Sequence, residues 1–230
     1  MKKIKIFTFG CKANQYDSQI FREVLLRQGY ETVNTSCDIV LINTCCVTKK
    51  AENEARKLVN KLLKNGKRVW VTGCWVEKDN LVSMFPEIKV VHREQLYQQA
   101  KIYGIKGIGN FHKHTRAFVK VVDGCENFCT YCIVPYVRGN IKSRQLSEIV
   151  EEIKTLVHNG FREIVLTGID LGSYGRDNGS HLPELIQRIS VIEGLTRFRL
   201  SSIEMFYIDG KLLNILSCCK NFCPSFHIPL

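Results

Sequence analysis

One short run of cysteines has the spacing to bind an iron–sulfur cluster. Cys125, Cys129 and Cys132 form a Cys-x3-Cys-x2-Cys pattern directly after the apolar residues 117–122. Thiolates so close together can ligate three irons of a cubane [4Fe–4S] cluster and leave the fourth iron open for chemistry. Structural zinc is disfavoured because it needs four ligands, often as two separated pairs. The alternative is a loop in which cysteines meet by chance.

A second set of cysteines is spread along the first part of the chain. Cys11, Cys45 and Cys74 each follow a predicted strand, and the strands alternate with helices as in parallel βαβ units. Because the carboxyl ends of parallel strands share one edge of a sheet, we expect these thiols to converge on a second cluster. The alternative is that each is an ordinary buried cysteine, which packs as a small hydrophobe.

The elements that must position the N-terminal cysteines follow from apolar runs and turn residues. Strands are predicted at 4–9, 38–43, 68–72 and 88–91. A helix is predicted from Asp17, as its N-cap, to a stop at Gly29, and a basic helix at 51–64. These units predict an N-terminal parallel-sheet domain over residues 1–103.

The C-terminal half repeats the alternation after a Gly-rich, basic linker at 104–116. Strands are predicted at 117–122, 162–167 and 197–201, with a fourth starting at 226–230, and helices at 147–158, 182–192 and 208–219. Four such repeats make half of an eight-stranded barrel or two thirds of a six-stranded one. The predicted fold class is therefore α/β, with an incomplete (β/α) barrel at 117–230.

Composition favours a polyanionic partner and a reducing compartment. The 230 residues carry a net charge of +11, which points to nucleic acid first. The basic start is not followed by a sustained apolar segment, so we expect a cytoplasmic protein. In that compartment the 11 cysteines should be thiols or metal ligands rather than disulfides.

Several motifs together resemble a known family. The Cys-x3-Cys-x2-Cys run is similar to that of radical S-adenosylmethionine enzymes, in which an aromatic residue before the last cysteine, here Tyr131, packs beside the adenine. The other motifs are similar to those of the methylthiotransferases: Gly-Cys-Lys-Ala-Asn-Gln-Tyr at 10–16, Ile-Asn-Thr-Cys at 42–45, Thr-Gly-Cys at 72–74, Cys-Ile-Val-Pro at 132–135 with Arg-Gly at 138–139, and Arg-Leu-Ser-Ser-Ile-Glu at 199–204. With Leu-Thr-Gly-Ile at 166–169, the first motif most resembles the branch that modifies N6-threonylcarbamoyladenosine beside the tRNA anticodon.

This resemblance implies two [4Fe–4S] clusters and S-adenosylmethionine as cofactors. The cluster at Cys11, Cys45 and Cys74 would carry the sulfur, and the cluster of the Cys-x3-Cys-x2-Cys run would cleave S-adenosylmethionine to a radical that activates C2 of the adenine. The residues implied to line the cofactor are polar or glycine positions at strand ends: Thr167, Gly168, Ser201, Ser202 and Glu204. Their alternative role is in turns, as glycines and locally bonded hydroxyls.

The implied partners are tRNA and an electron donor such as flavodoxin or ferredoxin. Arg138 and Arg144, which follow the cluster loop, are the predicted tRNA contacts. The cations of the helix at 51–64 are further candidates, with a solvated helix face as the alternative.

Five cysteines stay outside both sets, and we expect Cys45 rather than its neighbour to be the ligand. They are Cys37, Cys46, Cys218, Cys219 and Cys223.

Members of the family continue past residue 230 with the rest of the barrel and a TRAM domain, so the chain resembles a C-terminally truncated member. Two alternatives are a non-catalytic iron–sulfur or tRNA-binding fragment and a ribosomal-protein methylthiotransferase, the latter disfavoured by the motif at 10–16.

Overall fold

The computed structural model describes residues 1–112 and 114–229, and the chain divides into two compact units. The N-terminal unit contains Met1–Lys106 together with Cys129–Arg138. The C-terminal unit contains Gly107–Phe128 and Gly139–Leu230. The sequence-based division, with one boundary at residues 104–116, did not include the fact that Cys129–Arg138 belongs to the N-terminal unit.

The described part of the N-terminal unit contains a five-stranded parallel sheet in the order β2-β1-β3-β4-β5. The strands are β1 Lys3–Thr8, β2 Glu31–Thr32, β3 Ile39–Thr44, β4 Arg68–Gly73 and β5 Lys89–Val90. Every residue of β3 is buried, as expected for an apolar strand at the centre of a parallel sheet. The four predicted strands are confirmed, and the short β2 was not predicted.

The N-terminal unit contains six helices among its described residues. They are α1 Lys12–Arg27, α2 Lys49–Lys64, α3 Cys74–Lys78, α4 Leu81–Met84, α5 Arg93–Ile102 and α6 Val134–Arg138. The prediction that Asp17 caps α1 is wrong, since the helix begins at Lys12 and has Cys11 as its N-cap. Asp17 is instead buried inside the helix, where its carboxylate accepts hydrogen bonds from Tyr97 and Arg138. The predicted α2 is confirmed, with the Thr48 hydroxyl accepting from the Ala51 amide at 3.2 Å.

The C-terminal unit has an open sheet in the order β7-β6-β8-β9 among its described residues. Its strands are β6 Ala117–Asp123, β7 Lys142–Ser143, β8 Glu163–Gly168 and β9 Arg197–Leu200, and its helices are α7 Leu146–His158, α8 Leu182–Ser190 and α9 Gly210–Cys218. β6, β8 and β9 are parallel, whereas the unpredicted β7 pairs antiparallel with β6. In the part of the chain that the structure describes, this sheet does not close on itself, in agreement with the predicted incomplete barrel.

The predicted fourth barrel strand at 226–230 is not formed in the part of it that the structure describes. Its described residues make only an isolated parallel bridge between Ser202 and His227, and a second bridge joins Phe198 to Phe222. Pro224 lies between these two bridges and has no amide hydrogen to donate, so it removes one possible ladder hydrogen bond there. Leu230 lies outside the described residues.

The predicted linker contains buried apolar side chains. Ile108 and Phe111 are buried, and the Ile108 amide donates to the Glu152 carboxylate of α7 at 2.7 Å. These residues therefore dock on the C-terminal unit. Among the helices that the structure describes, none is long and apolar enough to cross a membrane.

Candidate iron–sulfur sites

The structure places Cys11, Cys45 and Cys74 at the carboxyl ends of three neighbouring parallel strands. Cys11 lies in the turn between β1 and α1, Cys45 follows β3 directly, and Cys74 is the first residue of α3 after β4. In the sheet β3 lies between β1 and β4, so the three cysteines share one edge. Alternating strands and helices alone were enough to predict this placement.

The thiols at this edge lie close enough to influence one another. Burial raises the pKa of the Cys45 thiol, and the neighbouring Cys74 and Cys11 thiols raise it further. Gly10 has a left-handed backbone (φ +98°), and a Cβ atom added there would lie 2.8 Å from Cys45 Sγ. The turn after β1 is thus in direct contact with the residue that follows β3.

The neighbouring Cys46 packs, like Cys74, in a cluster of buried apolar side chains that includes Val71 and Trp75. Burial raises its thiol pKa to about 12, and burial also raises the pKa of the Cys45 thiol. The choice of Cys45 rather than Cys46 as the ligand stays a prediction.

A buried amide network holds the strand ends in register. The side-chain amide of Asn14 donates to the Phe9 carbonyl at 2.8 Å and to the Thr44 carbonyl at 2.9 Å. Asn43 donates to the Asn14 carbonyl at 2.9 Å, while its own side-chain oxygen is buried and has no hydrogen-bond partner among the described residues. These hydrogen bonds hold the backbone before Cys11 and at the end of β3 in place, and so they help to fix the positions of the Cys11 and Cys45 thiols.

Arg138 is buried beside the same edge. Its Nε donates to Cys74 Sγ at 3.3 Å and its Nη1 to Asp17 Oδ2 at 3.2 Å, while Nη2 contacts Asn14 Oδ1. The arginine side chain is 1% exposed and that of Asp17 is 0% exposed. This burial argues against a tRNA phosphate contact by Arg138, which was predicted from sequence.

Three thiols are the donor set that a cubane cluster with one open iron takes. Across residues 1–112 and 114–229, no three His, Cys, Asp or Glu side chains converge tightly enough to hold one metal ion. A cubane cluster places each thiolate on a different iron, so its ligands stand farther apart. The buried Arg138 guanidinium, which is paired with Asp17, would also donate a hydrogen bond to the Cys74 sulfur of a cluster bound here.

The Cys-x3-Cys-x2-Cys loop contributes to both compact units. Cys125 lies in the C-terminal unit, where its amide donates to the Gly139 carbonyl at 3.1 Å. Cys129 and Cys132 lie in the N-terminal unit, in a turn closed by the Cys132 amide on the Cys129 carbonyl at 2.9 Å. Cys129 is exposed and Cys132 is partly exposed, which leaves both thiols accessible.

Asp170 is a candidate site residue that the sequence reasoning missed. Its Oδ2 lies 4.0 Å from Cys125 Sγ and accepts from Asn127 and from the Tyr207 hydroxyl, each at 3.0 Å. Its Oδ1 is buried without a hydrogen-bond partner in the part of the chain that is described. Burial raises the pKa of the Asp170 carboxyl, against the hydrogen bonds that lower it. Its position two residues after the β8 end was the available signal.

The predicted cofactor residues lie at the ends of adjacent strands. Thr167 and Gly168 end β8, and the buried Ser201, which follows β9, donates its amide to the Leu166 carbonyl at 2.9 Å. A Cβ at Gly168 would lie 2.4 Å from Val122 Cγ1, so tight packing already explains this glycine.

The remaining predicted cofactor residues lie nearer the surface. Ser202 is exposed and within hydrogen-bond distance of His227, at 2.9 Å. Glu204 is partly exposed. Tyr131 is 89% exposed in the N-terminal unit, which leaves its ring free to pack against a ligand.

Arg144, the second predicted tRNA contact, already has hydrogen-bond partners within the protein. Arg144 donates to the Lys120 carbonyl at 2.9 Å and to the Glu152 carboxylate at 2.5 Å. A tRNA phosphate would compete with these groups for the guanidinium. Cys218 is exposed at the end of α9, and the Cys219 thiol contacts the Ile215 carbonyl at 3.2 Å.

Two family models match successive parts of the chain. The model described as "Uncharacterized protein family UPF0004" matches residues 3–92, and the Radical SAM superfamily model matches residues 119–216. The first match includes Cys11, Cys45 and Cys74, and the second includes the Cys-x3-Cys-x2-Cys loop.

Relatives with names match over nearly the whole chain. "Threonylcarbamoyladenosine tRNA methylthiotransferase MtaB" of Chlamydia pneumoniae is 36% identical over 242 residues, covering 98% of this chain and 57% of the relative. "tRNA-2-methylthio-N(6)-dimethylallyladenosine synthase" of Pelotomaculum thermopropionicum is 32% identical over 265 residues, covering 100% of this chain and 59% of the relative. The chain thus spans a little over half the length of these relatives.

A solved structure has the same fold. The radical S-adenosylmethionine methyltransferase TsrM from Kitasatospora setae has a TM-score of 0.64 at 12% sequence identity, covering 96% of this chain and 58% of that chain. Given the two matched family models and the named relatives, the chain belongs to the radical S-adenosylmethionine methylthiotransferase family.

Proposed function

We propose that this chain carries the two cluster sites of a tRNA methylthiotransferase that modifies C2 of N6-threonylcarbamoyladenosine beside the anticodon. The observation that carries the proposal is the convergence of Cys11, Cys45 and Cys74 on three neighbouring strand ends. In one chain with a Cys-x3-Cys-x2-Cys loop, this gives two sets of three thiols, each suited to a [4Fe–4S] cluster with an open iron.

The residues of the N-terminal unit would bind and orient the first cluster. Cys11, Cys45 and Cys74 supply thiolates, while Asn14 and Asn43 fix the loops that carry them. When bound, the two clusters and S-adenosylmethionine supply a transferable sulfur and a 5′-deoxyadenosyl radical. The protein itself contributes position, charge compensation and exclusion of water.

The second cluster would be held by Cys125, Cys129 and Cys132. For S-adenosylmethionine, the unpartnered oxygen of Asp170 offers a buried acceptor for a cationic group, next to Cys125. Thr167, Gly168, Ser201, Ser202 and Glu204 remain candidates for the same cofactor because they lie at or just after the ends of β8 and β9. Tyr131 offers an exposed ring for stacking.

The tRNA substrate is supported by the net charge of +11 and by the names of the relatives. Lys57, Lys61 and Lys64 are exposed on α2 and can contact phosphates without breaking a buried pair. Such contacts would make binding strongly salt-dependent. One relative is named for a threonylcarbamoyl base and the other for a dimethylallyl base, so the two modified adenosines are the substrates to compare.

Anaerobic reconstitution tests the proposal. The wild-type chain should bind about eight irons, as two four-iron clusters. Cys11→Ala and Cys125→Ala should each keep about four. Cleavage of S-adenosylmethionine, with reduced flavodoxin or dithionite as donor, should be lost in Cys125→Ala and retained in Cys11→Ala. Cys218→Ala, which alters an exposed cysteine outside both sets, should match the wild type.

Each part of the proposal has an outcome that would overturn it. Clusters that form without any cleavage would identify a non-catalytic iron–sulfur fragment. Methylthiolated tRNA from Cys11→Ala would refute the two-cluster assignment. Modification of dimethylallyladenosine tRNA, and not threonylcarbamoyladenosine tRNA, would change the substrate.

A further inference from the structure

Arg138 has an unusual set of partners for a buried arginine. Two of its nitrogens face Asp17 and Asn14, one turn apart on α1, and the third, Nε, donates to Cys74 Sγ at 3.3 Å. The Asp17 carboxylate alone balances the guanidinium charge. The hydrogen bond to the Cys74 sulfur is therefore not needed to neutralise the guanidinium, and its role has to be sought at Cys74.

The orientation of the guanidinium is fixed from two sides. Asp17 Oδ1 accepts from the Tyr97 hydroxyl at 2.6 Å, so the carboxylate cannot turn away from Arg138. Asn14 is fully buried and held by the carbonyls of Phe9 and Thr44. With both Nη groups held in a planar fork, the Nε–H must point at the Cys74 sulfur.

We propose that Arg138 is a positioning residue for the N-terminal cluster and raises its reduction potential through the N–H···S bond to Cys74. The inference rests on the proposed role of Cys74 as a cluster ligand. A thiolate accepts a hydrogen bond from a cation far better than a neutral thiol does. Hydrogen bonds to the sulfurs are among the factors that set the potential of an iron–sulfur cluster.

Arg138 belongs to the same chain segment as two of the loop cysteines. Arg138 ends α6, in the same segment Cys129–Arg138 that carries Cys129 and Cys132. That segment packs in the N-terminal unit, and Arg138 is its buried ionic anchor there. A change at Arg138 therefore acts first on the N-terminal cluster through Cys74 and only secondarily on the other ligands.

The experiment uses the full chain with Cys125, Cys129 and Cys132 replaced by Ala, so that only the N-terminal cluster forms. Its midpoint potential is measured by redox titration followed by EPR. Arg138→Met should shift the potential to more negative values, and Arg138→Lys should shift it less because the charge remains while the fork is lost. Arg93→Met is the matched control, because its guanidinium donates to a backbone carbonyl, that of Val137, at 3.0 Å.

A second measurement needs no Arg138 variant. In protein labelled with 15N-arginine, pulsed EPR of the reduced cluster should detect a coupled arginine nitrogen. An unshifted potential in an Arg138→Met protein that binds about four irons would overturn the proposal. Where the variant fails to fold, absence of the 15N coupling in the unsubstituted protein overturns it. Failure of the proposed function is distinguishable, because then no iron binds after removal of the three loop cysteines.

Discussion

The α-carbon of Gly10 faces the side chain of Cys45 so closely that a Cβ atom added at Gly10 would lie 2.5 Å from Cys45 Cβ. Gly10 also has φ +98°, a backbone conformation that side chains disfavour. The residue before the first predicted ligand is thus a glycine for two reasons, conformation and contact with the second predicted ligand. The contact links the geometry of the two thiols.

Gly10→Ala should lower the iron content of the N-terminal site. The methyl group must displace Cys45, in addition to the cost of left-handed alanine, about 1–2 kcal/mol. Gly29→Ala is the matched control, because Gly29 also has a left-handed backbone (φ +81°) but nothing within 4 Å of the added atom. Iron analysis after reconstitution distinguishes them. Equal iron in both variants would show that Cys45 can move without loss of the cluster.

Removing one partner of the buried ion pair of Asp17 and Arg138 should destabilise the N-terminal unit. Asp17→Asn leaves a guanidinium that is 1% exposed without its carboxylate, and the expected loss in the free energy of unfolding is about 3–5 kcal/mol. Urea unfolding followed by circular dichroism measures it. Glu54→Gln, at an exposed position on α2, is the control and should change little. A loss below about 1 kcal/mol for Asp17→Asn would mean that solvent or another anion compensates the arginine.

The sheet edge that carries Cys11, Cys45 and Cys74 could be predicted from sequence because it depends on local patterns. Apolar runs bounded by turn residues identified β1, β3 and β4. A cysteine directly after β3 and β4, or in the turn after β1, is then placed by the parallel topology alone. The incomplete barrel followed in the same way, since its strands and helices alternate along the chain.

The polar partners of the site could not be predicted, because they join residues far apart in sequence. Arg138 and Asp17 are separated by 121 positions, and the spacing of apolar residues along a chain cannot predict which distant polar side chains will pair. Asp17 resembled a helix cap because aspartate favours that position, but a buried arginine competes for it more strongly. Asp170 was missed because one carboxylate after a strand is a weak signal without its contacts to Asn127 and Tyr207.

The contact between Gly107 and Glu152 should anchor the segment before β6. A Cβ at Gly107 would lie 2.5 Å from the Glu152 carboxyl carbon, and that side chain is held by the Ile108 amide and by Arg144. Gly107→Ala should therefore destabilise the C-terminal unit by about 1–3 kcal/mol, as overpacking does. Thermal unfolding measures the effect, with Gly109→Ala as control because its added atom would meet only Asn159, at 3.9 Å. An unchanged melting temperature in Gly107→Ala would show that Glu152 can turn aside at no cost.

The ion pair of Glu52 and Lys78 should make stability depend on pH in acid. Lys78 Nζ lies 2.8 Å from the Glu52 carboxylate and holds the pKa of that buried carboxyl below its ordinary value. Because the folded pKa is lower than the unfolded one, the stabilisation is complete above the unfolded value, about 4.3, and is lost as pH falls through the folded value.

Glu52→Gln should therefore cost most near neutral pH, and the difference from wild type should shrink as the pH falls below the ordinary range of glutamate. Urea unfolding of both proteins across this range measures it. Lys78→Met and Lys49→Met form a matched pair, since both cations approach Glu52 but Lys49, at 3.8 Å, is 84% exposed. An exposed partner contributes about 0–1 kcal/mol, so Lys78→Met should have the larger effect. A Glu52→Gln difference that stays constant down to the lowest pH would mean that packing, and not charge, carries the contribution of Glu52.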